Sequence, residues 1–298
     1  MNRKNISVLS LFDGISVAQL AITQLGIPIE NYFASEIDKN AIKVTQYHFP
    51  NTIQLGDVRD IDCDKLPPID LVVFGSPCQD LSILRKDRKG IDGDKSRLFY
   101  EALRILDKVR PRIFIMENVN SMRANDRNII TNLLGVKPIK INSNLVSAQN
   151  RNRIYWTNIP GVKKPLDRKI TLQSIIQNGF CDRRKSLAIL TKNIPFTSKG
   201  LARYIKKSIG QVAFKDKDFA NASKDEKLDI IEGMTDDQAR KLFRVFSIEE
   251  QEKLQTLPFG YVGKVLKKTP SHHVIGNAFT NETIKHILSF ANFNTNQI

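Results

Sequence analysis

A cysteine in a stiff turn is the first residue of this chain that could do chemistry. The segment Ser76-Pro77-Cys78-Gln79 directly follows the apolar run Leu71–Gly75, which predicts a strand that ends in a loop. Pro77 fixes its own φ and biases Ser76 towards an extended conformation. Loops held by a rigid sheet are where reactive groups are usually displayed. A lone cysteine after an apolar run is more often a small core residue, so a nucleophilic role for Cys78 depends on its surroundings.

Strand-like runs alternate with helical segments on both sides of this cysteine. Strands are predicted at 7–12, 31–35, 52–55, 71–74 and 112–116, and helices at 16–25, 39–48 and 97–109. Farther along the chain, Ser247 with Glu249-Glu250 predicts the start of a helix within 246–257, and 283–293 is predicted to be a closing helix. The alternation of strands and helices is typical of an α/β protein with a doubly wound, mostly parallel sheet. Five residues fall at or just beyond the five strand ends: Asp13, Glu36, Asp57, Cys78 and Glu117. Because ligands bind outside the carboxyl ends of parallel strands, we expect a site at this edge.

The first strand end predicts an adenosine ligand. Glu36 lies 22 residues after Gly14, a spacing at which a carboxylate accepts hydrogen bonds from ribose hydroxyls. The turn has one glycine where a dinucleotide turn has three, so a pyrophosphate fits poorly and hydride transfer with a nicotinamide is disfavoured. S-adenosylmethionine, which has no phosphates, fits better. Asp57, after the third strand, could then accept a hydrogen bond from the adenine amino group.

Nine segments of the chain, in order, resemble the motifs of the DNA cytosine-5 methyltransferases. They are Phe12-Asp13-Gly14, Glu36-Ile37, Gly56-Asp57-Val58, Gly75–Gln79, Arg97–Glu101, Glu117-Asn118-Val119, Gln149–Tyr155, Arg244–Gln255 and Gly276-Asn277-Ala278. Asp13-Gly14-Ile15, Asp80-Leu81-Ser82 and Arg97–Glu101 are similar to the catalytic domain of the de novo branch. The resemblance implies an S-adenosylmethionine-dependent methyltransferase fold with a smaller inserted target-recognition lobe. We expect the catalytic domain at 1–157 plus 244–298, and the lobe at 158–243.

The resemblance also implies roles for individual residues. Cys78 would be the nucleophile that adds to carbon 6 of cytosine, and Glu117 would act at ring nitrogen 3. Arg153, with Arg151, would bind the carbonyl oxygen of the base. The residues implied in S-adenosylmethionine binding are Phe12, Asp13, Gly14, Ile15, Glu36, Ile37, Asp57, Val58, Pro77, Leu98, Asn277 and Ala278.

The distribution of positive charge predicts a DNA partner. The net charge is +15, and residues 160–210 alone hold twelve lysines and arginines but only two acidic residues, which is the footprint of a polyanion partner. Because the target carbon is inaccessible inside a duplex, such enzymes extrude the base, and the segment 84–97 is the natural lid. The predicted DNA-binding residues are Arg85, Lys86, Arg88 and Lys89 in that lid, and Arg203, Lys206 and Lys207.

The amino-acid composition limits the metal sites, disulfides and cellular location that we expect. The 298 residues contain three widely spaced cysteines and four histidines, without a C-x-x-C motif, so we expect neither disulfides nor a metal site. No run is long enough to span a membrane and no secretory leader is expected, which favours the cytoplasm of a bacterium or phage host. Double-stranded DNA is the expected partner, and a companion restriction endonuclease is left open. Two alternatives remain: an RNA cytosine-5 methyltransferase, and an inactive DNA-binding regulatory homologue.

Overall fold

The chain divides into two compact units. The computed structural model describes residues 5–76, 97–190 and 194–293. The first unit consists of residues 1–142, 152–165 and 281–298, and the second of 143–151 and 166–280. This division differs from the predicted boundaries, because residues 244–280 lie in one unit with 166–243 and the short segment 143–151 joins them.

A seven-stranded sheet forms the centre of the first unit. Its strands are β1 (Ile6–Leu11), β2 (Ile29–Ser35), β3 (Ile53–Gln54), β4 (Leu71–Phe74), β5 (Ile113–Val119), β6 (Ile139–Asn142) and β8 (Asn152–Thr157). Their order is β3-β2-β1-β4-β5-β8-β6; β8 runs antiparallel to β5 and β6, and the β1–β2, β2–β3, β1–β4 and β4–β5 pairs are parallel. The predicted doubly wound, mostly parallel sheet is therefore confirmed. The strand order reverses between β1 and β4, where such sheets bind ligands.

Helices of the first unit complete this α/β arrangement. They are α1 (Val17–Gln24), α2 (Lys39–His48), α3 (Arg97–Val109), α4 (Ala124–Leu134) and α11 (Asn281–Leu288). The side chain of Asp38 accepts a hydrogen bond from the backbone N–H of Asn40 at 2.8 Å, which caps the start of α2. Helix α3 buries Phe99, Ala102 and Ile105 along one face. Helix α11 packs on α1, although the two are far apart in sequence.

Two predicted elements differ in length from the observed ones. The predicted fifth strand ends at 116, whereas β5 continues to Val119. The antiparallel neighbour β8 explains the extension, because its Tyr155 and Arg153 pair with Glu117 and Val119. Glu117 therefore lies inside a strand and not after it. The closing helix also differs, since α11 covers 281–288 and not 283–293.

The second unit is built from short strands and helices. Its strands are β7 (Gln149–Asn150), β9 (Ser186–Leu187), β10 (Val212–Phe214) and β11 (Phe243–Val245). Its helices are α5 (Ser198–Lys207), α6 (Lys217–Asn221), α7 (Lys224–Ile231), α8 (Asp236–Leu242), α9 (Ile248–Leu254) and α10 (Lys268–Asn277). Strands β10 and β11 pair antiparallel, β7 and β9 pair parallel, and a core cluster forms around Leu201, Phe214 and Phe243. As predicted, Ser247 begins α9, in a capping box with Glu250.

In the part of the chain that the structure describes, no helix is both long and apolar enough to cross a membrane.

Candidate active site

The turn after β1 is held by the carboxylate that ends β2. One oxygen of Glu36, Oε2, accepts a hydrogen bond from the backbone N–H of Gly14 at 2.8 Å. The other oxygen, Oε1, accepts from the N–H groups of Ile37 and Asp38, both at 2.8 Å. Gly14 has a φ of +62°, which a glycine adopts without steric cost. Since each carboxylate oxygen has about two acceptor positions, Oε2 keeps one of them.

Asp13, the predicted cofactor residue next to this glycine, is buried within the turn. Its side chain accepts hydrogen bonds from the hydroxyl of Tyr32 at 2.8 Å and from that of Ser16. Burial raises the pKa of Asp13 to about 6, and hydrogen bonds from Ser10, Ser16 and Tyr32 oppose this shift only in part. Both oxygens of Asp13 thus hold the turn in shape. The roles of Tyr32 and Ser16 are not predicted from the sequence, because a tyrosine in a strand gives only the signal of a core residue.

Asp57 follows β3, and both of its carboxylate oxygens accept hydrogen bonds from a neighbouring arginine. Its oxygens accept from the backbone N–H and Nε of Arg59, both at 3.0 Å, and from Nη2 at 2.5 Å. These hydrogen bonds lower the pKa of Asp57 to about 2. The carboxyl group is therefore ionised at neutral pH, and Oδ2 keeps one acceptor position.

The remaining predicted cofactor residues differ in exposure. The side chain of Ile37 is 70% exposed beside Glu36, whereas Ile15 and Val58 are buried in the core, so only their backbone could face a ligand. Phe12 and Leu98 are half-buried against the core cluster of the first unit. Asn277 and Ala278 belong to the second unit, where Ala278 is buried and Asn277 is exposed.

Glu117 and Arg153 form an ion pair across two neighbouring strands of the first unit. Nε of Arg153 lies 2.6 Å from Oε1 of Glu117, and the two side chains are only 15% and 11% exposed. The pairing follows from the antiparallel register, in which Glu117 stands opposite Tyr155 and Val119 opposite Arg153. Among the described residues, none donates a hydrogen bond to the second oxygen of Glu117. Nη1 of Arg153 donates to the carbonyl oxygen of Asn152 at 3.4 Å.

Asn118 connects β5 to Ser76, which follows β4. Its side-chain Nδ2 donates to the Oγ and the backbone oxygen of Ser76, at 3.2 and 3.4 Å. Its Oδ1 accepts from the N–H of Val119 at 2.7 Å. Ser76 is two positions before Cys78 in the chain. Asn118 thus holds Ser76 in place, a contact that the sequence does not predict, because an asparagine in a strand carries no signal of its partner.

Arg151 belongs to the second unit, whereas Glu117 and Arg153 belong to the first. Its guanidinium donates to the carbonyl oxygens of Gly276 at 3.2 Å and Ala278 at 3.0 Å, and the residue is buried. Gln255 donates to the same carbonyl of Ala278 at 3.1 Å and accepts from Gln149 at 3.1 Å. These contacts hold the backbone after α10. The predicted contact of Arg151 with a base stays a prediction.

Several predicted site residues lie outside the described residues. These are Pro77 and the nucleophile Cys78, together with the lid residues Arg85, Lys86, Arg88 and Lys89. Of the predicted lid 84–97, the structure describes only Arg97, the first residue of α3.

The predicted phosphate contacts in the second unit lie on one helix. Arg203, Lys206 and Lys207 are exposed on α5, whose opposite face buries Leu201 and Tyr204. No acidic side chain in the described ranges pairs with any of the three. Helix α5 therefore presents a row of cations to solvent.

Within the same ranges, no group of three or more histidine, cysteine, aspartate or glutamate side chains is arranged to hold a metal ion.

Known proteins resemble this chain in sequence and in fold. The orphan methyltransferase M.Rho11sI of Bacillus phage rho11s is 35% identical over 173 residues, which are 54% of this chain and 34% of that protein. The type II methyltransferase M1.ScrFI of Lactococcus lactis subsp. cremoris is 34% identical over 166 residues, 52% of this chain and 42% of that protein. The chain thus spans less than half the length of either relative.

Structural similarity extends over nearly the whole chain. A crystal structure of a Spodoptera frugiperda DNMT2 mutant has a TM-score of 0.64 at 17% identity, and the match covers 96% of this chain and 99% of that one. This likeness shows a shared fold. The family model for C-5 cytosine-specific DNA methylases matches residues 6–175, more than half of the chain. The chain therefore belongs to the C-5 cytosine-specific DNA methylase family.

Proposed function

We propose that this protein methylates carbon 5 of cytosine in double-stranded DNA, with S-adenosylmethionine as the methyl donor. The observation that carries the proposal is the Glu117–Arg153 ion pair at 2.6 Å. It lies in a strand next to β4, the strand that leads into Ser76-Pro77-Cys78. A carboxyl group and a guanidinium in contact, in a chain whose next strand is followed two residues beyond Ser76 by a cysteine, are the groups needed to add a thiolate to a cytosine ring.

The first unit has acceptors that suit S-adenosylmethionine. Glu36 keeps one acceptor position on Oε2 for a ribose hydroxyl, and Asp57 keeps one on Oδ2 for an adenine amino group. Ile37 is 70% exposed, which provides apolar surface for an adenine ring. When bound, S-adenosylmethionine supplies an electrophilic methyl group.

The residues of the chain would activate the cytosine. The Cys78 thiolate forms a bond to carbon 6, and the ring electrons shift so that carbon 5 becomes nucleophilic. Glu117 donates a hydrogen bond or proton at nitrogen 3, while Arg153 donates to the carbonyl oxygen and stabilises the charge that develops there. After methylation, water takes the carbon 5 proton, the electrons of that bond restore the double bond between carbons 5 and 6, and the carbon 6–sulfur bond breaks so that Cys78 leaves as a thiolate.

The exposed cations support a DNA substrate. Arg203, Lys206 and Lys207 on α5 would contact phosphates, and the second unit would recognise the sequence around the target. Because carbon 5 is inaccessible in a stacked pair, the target base would be flipped out of the duplex. The location in a bacterial or phage-infected cytoplasm and a companion restriction endonuclease belong to the same proposal.

A cysteine exchange tests the proposal. A duplex that carries 5-fluorocytosine at the target, with S-adenosylmethionine, should form a stable covalent adduct with the parent protein and none with Cys78→Ala. Bisulfite sequencing should show DNA methylation by the parent only. Cys63→Ala is the matched control, since Cys63 is a free, half-buried cysteine of the first unit, and should retain both activities.

The same assay separates the alternatives. Calorimetric titration with S-adenosylhomocysteine should give equal affinity for the parent and Cys78→Ala, which verifies that the variant is folded. If an adduct forms with RNA that carries 5-fluorocytosine but not with the corresponding DNA, the substrate is RNA and not DNA. A parent protein that binds DNA and S-adenosylhomocysteine without forming any adduct would be an inactive homologue.

A further inference from the structure

The second unit contains a cavity that the proposed chemistry does not use. Its volume is about 360 Å³, and the residues that define its character are Gln177, Asn178, Phe196, Arg244, Glu250 and Lys268. This volume is within the range of small-ligand sites. All six residues belong to the second unit, whereas Glu117 and Arg153 belong to the first.

An ion pair with its charges satisfied lines this cavity. Nη1 of Arg244 lies 2.7 Å from Oε2 of Glu250, and Nη2 lies 2.6 Å from Oε1. Nε of Arg244 also donates to the carbonyl of Asn178 at 2.7 Å. Glu250 is fully buried, and it further accepts from the backbone N–H of Gln177 at 2.9 Å. Because these charges neutralise each other, the cavity favours a neutral polar ring over an ion.

An aromatic ring supplies a stacking surface. Phe196 is 37% exposed, and its other side packs on the buried Phe243 with ring centroids 4.8 Å apart. The ring is therefore held from one side and open on the other. A flat base that stacks on such a ring gains binding energy whichever of the four bases it is.

Two amides supply hydrogen bonds of both kinds. The side chains of Gln177 and Asn178 are exposed, and within the described residues neither side-chain amide has a hydrogen-bond partner. Their backbones, by contrast, are fixed by Glu250 and Arg244. An amide offers one donor and one acceptor side by side, the pattern that matches N7 and N6 of adenine. Lys268, also exposed on the cavity, supplies a cation for the attached phosphate.

We propose that this cavity binds an unpaired adenine base of the DNA substrate, stacked on Phe196 and hydrogen-bonded by Asn178 or Gln177. The proposal rests on the proposed DNA methylation and adds a second nucleotide contact, distinct from the target cytosine. The cavity would thereby select adenine at one position of the methylated sequence.

Two variants that keep the fold test the cavity. Asn178→Asp replaces the amide by acceptors only, so the preference should move from adenine towards cytosine, whose N4 group is a donor. Phe196→Leu keeps the packing on Phe243 but removes the stacking surface, and should lower methylation about tenfold. Ile230→Ala, at an exposed position on α7 that does not line the cavity, is the control.

The readout is methylation of a duplex library with randomised flanking positions, followed by bisulfite sequencing. The parent and Ile230→Ala should prefer adenine about tenfold at one position, and Asn178→Asp should lose this preference. If the parent shows no such position, or if Asn178→Asp and Phe196→Leu retain the parent preference and rate, the proposal is overturned.

A cross-linking arm keeps the test independent of methylation. Duplexes that carry 8-azidoadenine should label the peptide with Asn178 or Phe196 on irradiation, and Phe196→Leu should reduce the yield about tenfold. Labelling of these peptides by a parent protein that methylates nothing would support the cavity and refute the proposed function. Labelling elsewhere, or only by azidoadenine in RNA, would overturn the proposed DNA contact.

Discussion

Polar side chains at the strand ends of the first unit contact groups close by, whereas those buried in the second unit join distant segments. Glu36 and Asp57 accept mainly from backbone and side-chain groups one or two positions away. Gln149 donates to the carbonyl of Leu254 at 3.0 Å across 105 positions, and Arg151 reaches Ala278 across 127. The first arrangement leaves acceptors for a ligand, and the second uses its hydrogen bonds to hold the chain together.

The largest effect should come from the ion pair of the first unit. Glu117→Gln should lower turnover by about 10²–10⁴, the range for a positioned proton donor, because the amide cannot deliver a proton to nitrogen 3. Affinity for S-adenosylhomocysteine should stay the same in calorimetry. Glu30→Gln, at an exposed position in β2, is the control. A collapse of cofactor affinity in Glu117→Gln would make Glu117 a structural residue like those of the second unit.

Breaking the corresponding pair of the second unit should affect folding. Arg244→Leu should cost about 3–5 kcal/mol of unfolding free energy, since Glu250 is left charged and buried. Burial alone would raise the pKa of Glu250, but hydrogen bonds from Arg244, Gln177 and Ser247 lower it. Urea denaturation followed by circular dichroism measures the loss.

A double variant checks the source of this cost. Arg244→Leu with Glu250→Leu should recover much of the stability, because no buried charge remains. By comparison, Arg104→Leu breaks the exposed pair with Glu101 and should cost at most about 1 kcal/mol. Equal losses in the single and double variants of the second unit would contradict the proposed role of the pair.

The pH dependence of stability should distinguish two carboxyl groups of the first unit. The pKa of Asp13 is raised by burial from 3.8 to about 6. Its protonated form therefore stabilises the fold below pH 4, and this contribution is lost as the pH rises through 6. Relative to Asp13→Asn, the parent should lose about 2 kcal/mol of unfolding free energy between pH 4 and 7.

Asp57 provides the opposite case for the same measurement. Hydrogen bonds from Arg59 lower its pKa to about 2, so its contribution is present above pH 4 and is lost as the pH falls through 2. Asp57→Asn should therefore leave the curve between pH 4 and 7 unchanged. If Asp13→Asn and Asp57→Asn change the stability curve between pH 4 and 7 in the same way, burial of Asp13 is not the cause of the pH dependence.

The smallest effect should come from the exposed cations of α5. Lys206→Gln with Lys207→Gln should weaken DNA binding similarly on all sequences. Each lost phosphate contact should reduce the slope of log affinity against log salt concentration by about 1. In the control, Lys137→Gln is combined with Lys140→Gln, at two exposed lysines of the first unit. This variant should keep the slope of the parent. An unchanged slope in the α5 variant would remove these lysines from the interface.

The sequence predicts the parallel half of the sheet well because apolar periodicity is a local signal. The strand 71–74 and the helices 39–48 and 97–109 are observed at the predicted residues. The pairing of the antiparallel β8 with β5 joins segments that are distant in sequence, so no local pattern predicts it. For this reason Glu117 was expected after a strand and not within one. The Ser76 contact of Asn118 and the carbonyl contacts of Arg151 likewise depend on residues brought close only by folding.

The packing of α11 on α1 has a consequence for folding while the protein is being synthesised. Asn281 in α11 donates to Gln24 in α1 at 2.9 Å, across 257 positions. At 5–20 residues per second, a ribosome needs roughly 10–50 s to release α11 after α1. During that interval α1, whose buried residues include Leu20 and Ile22, lacks one of the helices that packs against it in the folded unit. A nascent chain is therefore exposed to aggregation through α1 until α11 emerges, and a chaperone that binds apolar segments should recognise α1.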